Sequence, residues 1–184
     1  MKTKVEEACE QGKAAYLSGV FDEAIAHYTE AIRLDSECVK AYQWRGCAFA
    51  SKSRFDKAIA DYTEAIRLNP EDAIAYCNRA GSFRRVNDFE KAIADFTETI
   101  RLDPCFAQAY YGRAYAYWRK GEYDRAIADF TEIIRLETET IPLEPNNADA
   151  YARRGFAYER KGQLAKAAED YARANELGNN GKGI

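Results

Sequence analysis

The chain has 184 residues, with 27 Lys and Arg against 30 Asp and Glu for a formal charge of -3 and a pI near 5.4. That balance lacks the basic excess of a protein that grips a phosphate backbone, so nucleic acid is not the expected partner. The N-terminal MKTKVEEACEQGK has no apolar signal core and no stretch approaches a membrane-spanning run, which leads to the expectation of a cytoplasmic chain that does not engage a membrane.

Taken in chain order, the sequence is a series of equal repeats. The first runs from Val5 to Cys38, the second from Val39 to Asp72, the third from Ala73 to Phe106, and the fourth starts at Ala107. Each carries one eleven-residue block: AIAHYTEAIRL at Ala24–Leu34, AIADYTEAIRL at Ala58–Leu68, AIADFTETIRL at Ala92–Leu102 and AIADFTEIIRL at Ala126–Leu136. A fixed period of 34 residues marks tandem supersecondary units that bury their apolar faces against one another. A fifth repeat starts at Ala148, 41 residues after Ala107, so seven residues are inserted around Glu139–Pro145. Pro142 disfavours a helical Ile141, which predicts a surface loop there with Ile141 and Leu143 exposed. Length drift is its plainer explanation, and contact with a partner the other.

With each repeat numbered from its first residue, slots 4, 8 and 11 hold Tyr42, Gly46, Phe49; Tyr76, Ala80, Phe83; Tyr110, Ala114, Tyr117; and Tyr151, Gly155, Tyr158. That spacing is one face of a helix. Slot 15 holds Gly19, Ser53, Asn87, Gly121 and Gly162, four of them residues that tolerate a left-handed C-cap. A second helix is predicted after it. It opens on an apolar residue (Phe21, Phe55, Phe89, Tyr123, Leu164) and an acid (Asp22, Asp56, Glu90, Asp124), where the helix dipole favours negative charge. It continues through an alanine at slot 20 (Ala24, Ala58, Ala92, Ala126, Ala167) and an aromatic at slot 24 (Tyr28, Tyr62, Phe96, Phe130, Tyr171), and Pro70 and Pro104 stop it. The small residues at slots 8 and 20 allow close approach of the two helices, and the rings at slots 4, 11, 17 and 24 are expected to fill the space around that contact.

These aromatic, glycine, alanine and proline landmarks resemble the tetratricopeptide repeat over about residues 5–178. The resemblance implies an all-α solenoid, a right-handed superhelix of stacked antiparallel helix pairs, with a concave groove lined by the first helices. It gives a single array over 1–178 and a flexible tail over 179–184. The polar start of repeat 1 (Lys4, Glu6, Glu7, Glu10, Gln11, with Ala8 and Ala15 for rings) and the substitutions Ala168 and Asn175 in repeat 5 read as caps of a complete array.

Slot 7 is Arg45, Arg79, Arg113 and Arg154 wherever slot 23 is Asp61, Asp95, Asp129 and Asp170, and repeat 1 changes both, to Gln11 and His27. The pattern predicts an Arg–Asp bridge within each repeat, with Gln11 and His27 as a hydrogen-bonding substitute. No catalytic constellation emerges. His27 is the single histidine, Gly181–Gly183 lacks the spacing of a phosphate loop, and Glu64/Arg67, Glu98/Arg101 and Glu132/Arg135 are exposed helix pairs. The five cysteines (Cys9, Cys38, Cys47, Cys77, Cys105) form no CxxC pair and lie away from His27, so no metal, cofactor or disulfide framework is expected.

The informative surface is the back of the first helices, at slots 2, 5, 6, 9, 12 and 13. It carries Trp44, Tyr111, Tyr115, Trp118 and Phe156 with Asn78, Arg84, Arg85, Arg119, Arg153 and Arg160, against Asp149 and Glu159. Aromatics and arginines are the residues enriched in binding hot spots. Packing against neighbouring helices is the plainer role for any one ring, and inert packing is the plainer role for Cys47 and Cys77 on the same face. In a subclass of the resembled family, Lys, Asn and Arg at set slots clamp a chaperone's C-terminal carboxylate. The frame from repeat 1 offers Cys9, Lys13, Trp44, Ile74 and Asn78 instead, and no other frame fits. The expectation is a non-enzymatic, monomeric scaffold that binds a protein or peptide partner, with an acidic segment favoured by the arginines. The alternative is a self-assembling structural module.

Overall fold

The computed structural model describes residues 3–140 and 148–180, and these contain ten helices and no strand. They are α1 (Lys4–Leu17), α2 (Phe21–Leu34), α3 (Val39–Ser51), α4 (Phe55–Leu68), α5 (Ala73–Arg85), α6 (Phe89–Leu102), α7 (Ala107–Arg119), α8 (Tyr123–Thr140), α9 (Ala148–Arg160) and α10 (Leu164–Asn180). The chain divides into two compact units, Met1–Leu102 and Asp103–Ile184, holding three and two helical hairpins.

Every hairpin closes in the same way. Slot 15 adopts positive φ in all five repeats, at 57° for Ser53, 62° for Asn87 and 75–77° for the three glycines. The amide after it bonds back across the turn, Val20 to Ala15, Arg54 to Phe49, Asp88 to Phe83, Glu122 to Tyr117 and Gln163 to Tyr158, all at 2.8–2.9 Å. This reverse-turn bond satisfies carbonyls that the ending helix would leave without partners, whichever residue occupies the slot. Thr3 and Glu6 form a capping box at the start of α1.

The core differs from the expectation in one respect. The side chains fully buried on the first helices are small ones, at slot 8 (Ala80, Ala114) as expected but also at slots 3 and 10: Ala41, Ala48, Ala75, Ser82, Ala109, Ala116, Ala150 and Ala157. Ala41 and Ala48 share a cluster with Ala24 and Tyr28 of the repeat before them, and Ala75 packs with Ala65 and Ile66 of the repeat before it. The rings at slots 4 and 11 are half-buried, apart from buried Tyr110. Closely packed helix axes leave room only for small side chains at the crossing, so large rings move to its flanks. There they lie beside the slot-7 guanidinium: Arg45 is 5.7 Å from the Tyr42 ring, Arg79 5.6 and 6.0 Å from Tyr76 and Phe83, and Arg154 5.3 Å from Tyr151.

The predicted Arg–Asp bridge is present in repeats 2 to 5, and it is bidentate. Nε and Nη2 of Arg45, Arg79, Arg113 and Arg154 donate to the two oxygens of Asp61, Asp95, Asp129 and Asp170 at 2.7–3.0 Å. Burial pushes the Asp129 carboxyl up, against the downward pull of Arg113. The third nitrogen reaches the preceding repeat: Nη1 of Arg45, Arg79 and Arg154 donates to Oγ1 of Thr29, Thr63 and Thr131 at 3.0–3.1 Å. Each of those hydroxyls donates in turn to a carbonyl one helical turn earlier. In the recurrent blocks of repeats 1, 2 and 4, threonine therefore holds the next repeat, while aspartate holds its own in repeats 2 to 5. The Glu–Arg pairs on the exposed side are formed at 2.5–2.8 Å. The Gln11–His27 substitute is not: Gln11 is exposed, His27 is half-buried, and no hydrogen bond joins them.

The insertion begins differently from the expectation. α8 spans 18 residues where the other second helices of repeats 1 to 3 span 14, so the chain stays helical to Thr140, and the loop expected at Ile141 and Leu143 lies outside the described residues. α10 continues to Asn180, past the expected end at 178.

Candidate peptide-binding face

In the unit Met1–Leu102 the face is built on α1, α3 and α5. Trp44 meets the ring of Tyr16 edge-on at 5.3 Å and packs against the cluster of Ala8, Ala15, Ala41 and Ala48. It is half core and half surface: its open side forms a wall of a cleft of about 590 Å³, shared with Val5, Glu6, Cys9, Lys13 and Lys40. Tyr28 of α2 forms the cleft floor, and its hydroxyl is buried without a hydrogen-bond partner among the described residues. Burial pushes that phenol above its ordinary range. Asn78 is tied to Cys47, whose Sγ accepts from Asn78 Nδ2 at 3.9 Å and from the Tyr62 hydroxyl at 3.4 Å. Burial raises the thiol of Cys47, and raises that of Cys77 to about 11 against the opposing charge of Arg84. Both thiols therefore stay protonated and pack as small hydrophobes. Arg85 is exposed, 5.3 Å from the Phe55 ring.

In the unit Asp103–Ile184 the face is built on α7 and α9, and here the predicted rings do come together. Trp118 lies 6.0 Å from Tyr115 and 5.7 Å from Phe156, and Tyr111 sits edge-on to Phe130 at 6.3 Å. Tyr115, Trp118, Phe130, Ala152, Arg153 and Phe156 line a cleft of about 500 Å³. Phe156 is 40% exposed, and Nε1 of Trp118 is buried with no acceptor among the described residues. The arginines at the rim already have neighbours. Arg119 donates to the Tyr115 hydroxyl at 3.0 Å, Arg153 bridges Asp149 at 2.7 Å, and Arg160 lies 5.8 Å from the Tyr123 ring. Glu159 accepts from the Tyr171 hydroxyl at 2.7 Å.

Tyr28 and Phe130 belong to second helices and were absent from the residues expected on this face. Both stand at slot 24, behind a glycine or alanine at slot 8, and that small residue is the signal that a ring passes beneath the first helix to its far side.

Among the described residues no helix is long and apolar enough to cross a membrane, and no group of three or more His, Cys, Asp or Glu could hold a metal ion. A sequence model of the tetratricopeptide repeat matches residues 9–73, 45–104 and 77–140, and a second one matches 137–169. The chain belongs to the tetratricopeptide repeat family. Its all-α fold of helix pairs is that of solved tetratricopeptide-repeat proteins. A structure of MamA is 25% identical over 96% of this chain and 93% of that one, with a TM-score of 0.88. MamA from residue 41 onward from Desulfovibrio magneticus RS-1 is 18% identical over 100% of this chain and 99% of its own, with a TM-score of 0.89. YrrB, described as a tetratricopeptide-repeat protein with an unusual peptide-binding site, is 21% identical over 90% of this chain and 82% of its own, with a TM-score of 0.77. No curated protein matches the chain by sequence.

Proposed function

We propose that the chain is a non-catalytic interaction scaffold that takes a peptide segment of a protein partner on the first-helix faces, with the cleft of α7 and α9 as the principal anchor. The observation that carries this reading is Trp118, held between Tyr115 and Phe156 at the wall of a cleft of about 500 Å³, with an indole N–H that no acceptor among the described residues satisfies. An unsatisfied buried donor costs about 1–3 kcal/mol, which a peptide carbonyl reaching it would recover. An apolar or aromatic side chain of the segment fills the space between the rings. Acidic residues flanking it meet Arg119 and Arg153, at the rim, where charge tunes association rate and salt dependence more than affinity.

The test is to select binders from a displayed random-peptide library on the full chain and to measure their affinity for Phe156→Ala and Arg153→Ala variants. Phe156→Ala is expected to weaken binding roughly tenfold or more, and Arg153→Ala to flatten its salt dependence. Unchanged affinity in a folded Phe156→Ala variant refutes the anchor. A mass that grows with concentration in sedimentation, and no selected peptides, favours the self-assembling alternative.

A further inference from the structure

We propose that Cys9 and Cys38 are a redox pair that forms an intramolecular disulfide on exposure to a hydroperoxide and thereby latches α1 to the start of α3. Their Sγ atoms stand 3.9 Å apart, although 29 residues separate them in sequence. No other two cysteine sulfurs lie within 4.0 Å of each other among the described residues. A disulfide needs the sulfurs about 2 Å closer, and both side chains are half-buried rather than locked in the core. Both thiols line the 590 Å³ cleft, so a small oxidant has a path to them.

The chemistry balances with one hydroperoxide per bond. One sulfur attacks the peroxide oxygen, the O–O bond breaks, and water or an alcohol leaves with the thiol proton. The second sulfur then attacks the sulfenic acid, the S–S bond forms, the S–O bond breaks, and hydroxide leaves as water with the second proton. Burial, reinforced by Cys38, lifts the Cys9 thiol to about 11, so little of it is thiolate at neutral pH and the bond forms slowly unless the hydroperoxide is in excess.

The position gives the bond a consequence. α1 buries only the small residues Ala8, Gly12 and Ala15, so little apolar area holds it against local opening. It supplies one wall of the cleft through Val5, Glu6, Cys9 and Lys13, while Cys38, Lys40 and Trp44 supply the other. The disulfide joins the two walls and closes a loop of about 30 residues, removing much of the entropy that fraying would gain. Reduction frees the helix again. This inference is independent of the peptide-binding reading, because it concerns the bond and the order of α1 alone.

The experiment uses the full chain carrying Cys105→Ser, which removes the exposed thiol that would link two chains. The protein is treated with hydrogen peroxide, alkylated and digested with trypsin, alongside Cys9→Ser and Cys38→Ser variants. The expected product is a cross-linked pair of peptides 5–13 and 34–40. It is accompanied by amide exchange in α1 slowed about tenfold or more, and by a melting temperature raised by at least about 5 °C. Both serine variants lose all three changes. Separate alkylated peptides at a peroxide dose that fully oxidises Cys105 in the unmodified chain overturn the proposal, as does a bond from Cys9 to Cys47. A Cys9–Cys38 bond that leaves α1 exchange unchanged overturns the latch.

Discussion

A Cβ added at Gly46 would stand 2.7 Å from Cε1 of Tyr62, nearer than side chains approach one another, and Tyr62 is 2% exposed with no room to retreat. The relationship recurs at Gly12 with Tyr28, at 2.8 Å, and at Gly155 with Tyr171, at 3.0 Å. In the two repeats where the first partner is alanine, Ala80 and Ala114, the second is phenylalanine, Phe96 and Phe130. Tyrosine is found only over glycine. Two of the three hydroxyls reach a partner on the first helix, Cys47 from Tyr62 and Glu159 from Tyr171, while that of Tyr28 has none among the described residues. A ring driven that far across leaves no space for a methyl group.

Gly46→Ala is therefore expected to destabilise the chain by about 1–3 kcal/mol, the usual cost of overpacking a rigid core contact. Tyr62→Phe in the same chain reproduces the Ala80–Phe96 pairing and should recover at least half of that loss. Urea unfolding of the wild type, both single variants and the double variant measures the coupling. Strictly additive effects would show that the hydroxyl does not hold the ring over Gly46.

The Arg79, Asp95 and Thr63 triad leads to a second expectation. Asp95→Asn leaves a guanidinium that is largely out of water facing a neutral amide, a change expected to cost about 3 kcal/mol. Thr63→Val removes only the Nη1 acceptor and should cost about 1 kcal/mol. Arg79→Leu made in the Asp95→Asn background should add much less than it does alone. A double-mutant cycle with no coupling between positions 79 and 95 would mean that the bridge sets register without contributing to stability.

The repeat, its two helices and the Arg–Asp bridge were all legible in the sequence, because five copies of one pattern separate slots that must agree from slots that vary. The burial of slots 3 and 10 was not. A ring has more apolar area than an alanine, so an area argument assigns Tyr42 and Phe49 to the core, whereas the crossing geometry admits Ala41 and Ala48 and turns the rings outward. The partition of the candidate site was hidden for a related reason. Slot position places Trp44 and Trp118 on the same face, but only three-dimensional packing shows Trp44 sharing the core of repeat 1 with Tyr16, while Trp118 borders an open aromatic cleft. The Gly–Tyr and Ala–Phe pairing was visible as letters, but it has meaning only once slot 24 is known to pass beneath slot 8.

The last expectation concerns Glu137, which lies in the extra turn of α8. Its Oε2 is buried without a donor among the described residues, and burial, aided by the negative charge of Asp149, raises its carboxyl. A carboxyl raised in the folded state is a burden when ionised. The burden is absent while the group is protonated in both states, below its ordinary value of about 4.3. It grows as pH rises from there and is complete above the raised folded value. Glu137→Gln keeps the shape and removes the charge, so the variant should melt higher than the wild type at neutral pH. The gap should close as the solution is acidified and vanish below about pH 4. Melting curves taken between acid and neutral pH decide it: a gap of constant size would show that the amide improves packing or hydrogen bonding, and a variant that melts lower would show that the carboxylate has a partner that stabilises its charge.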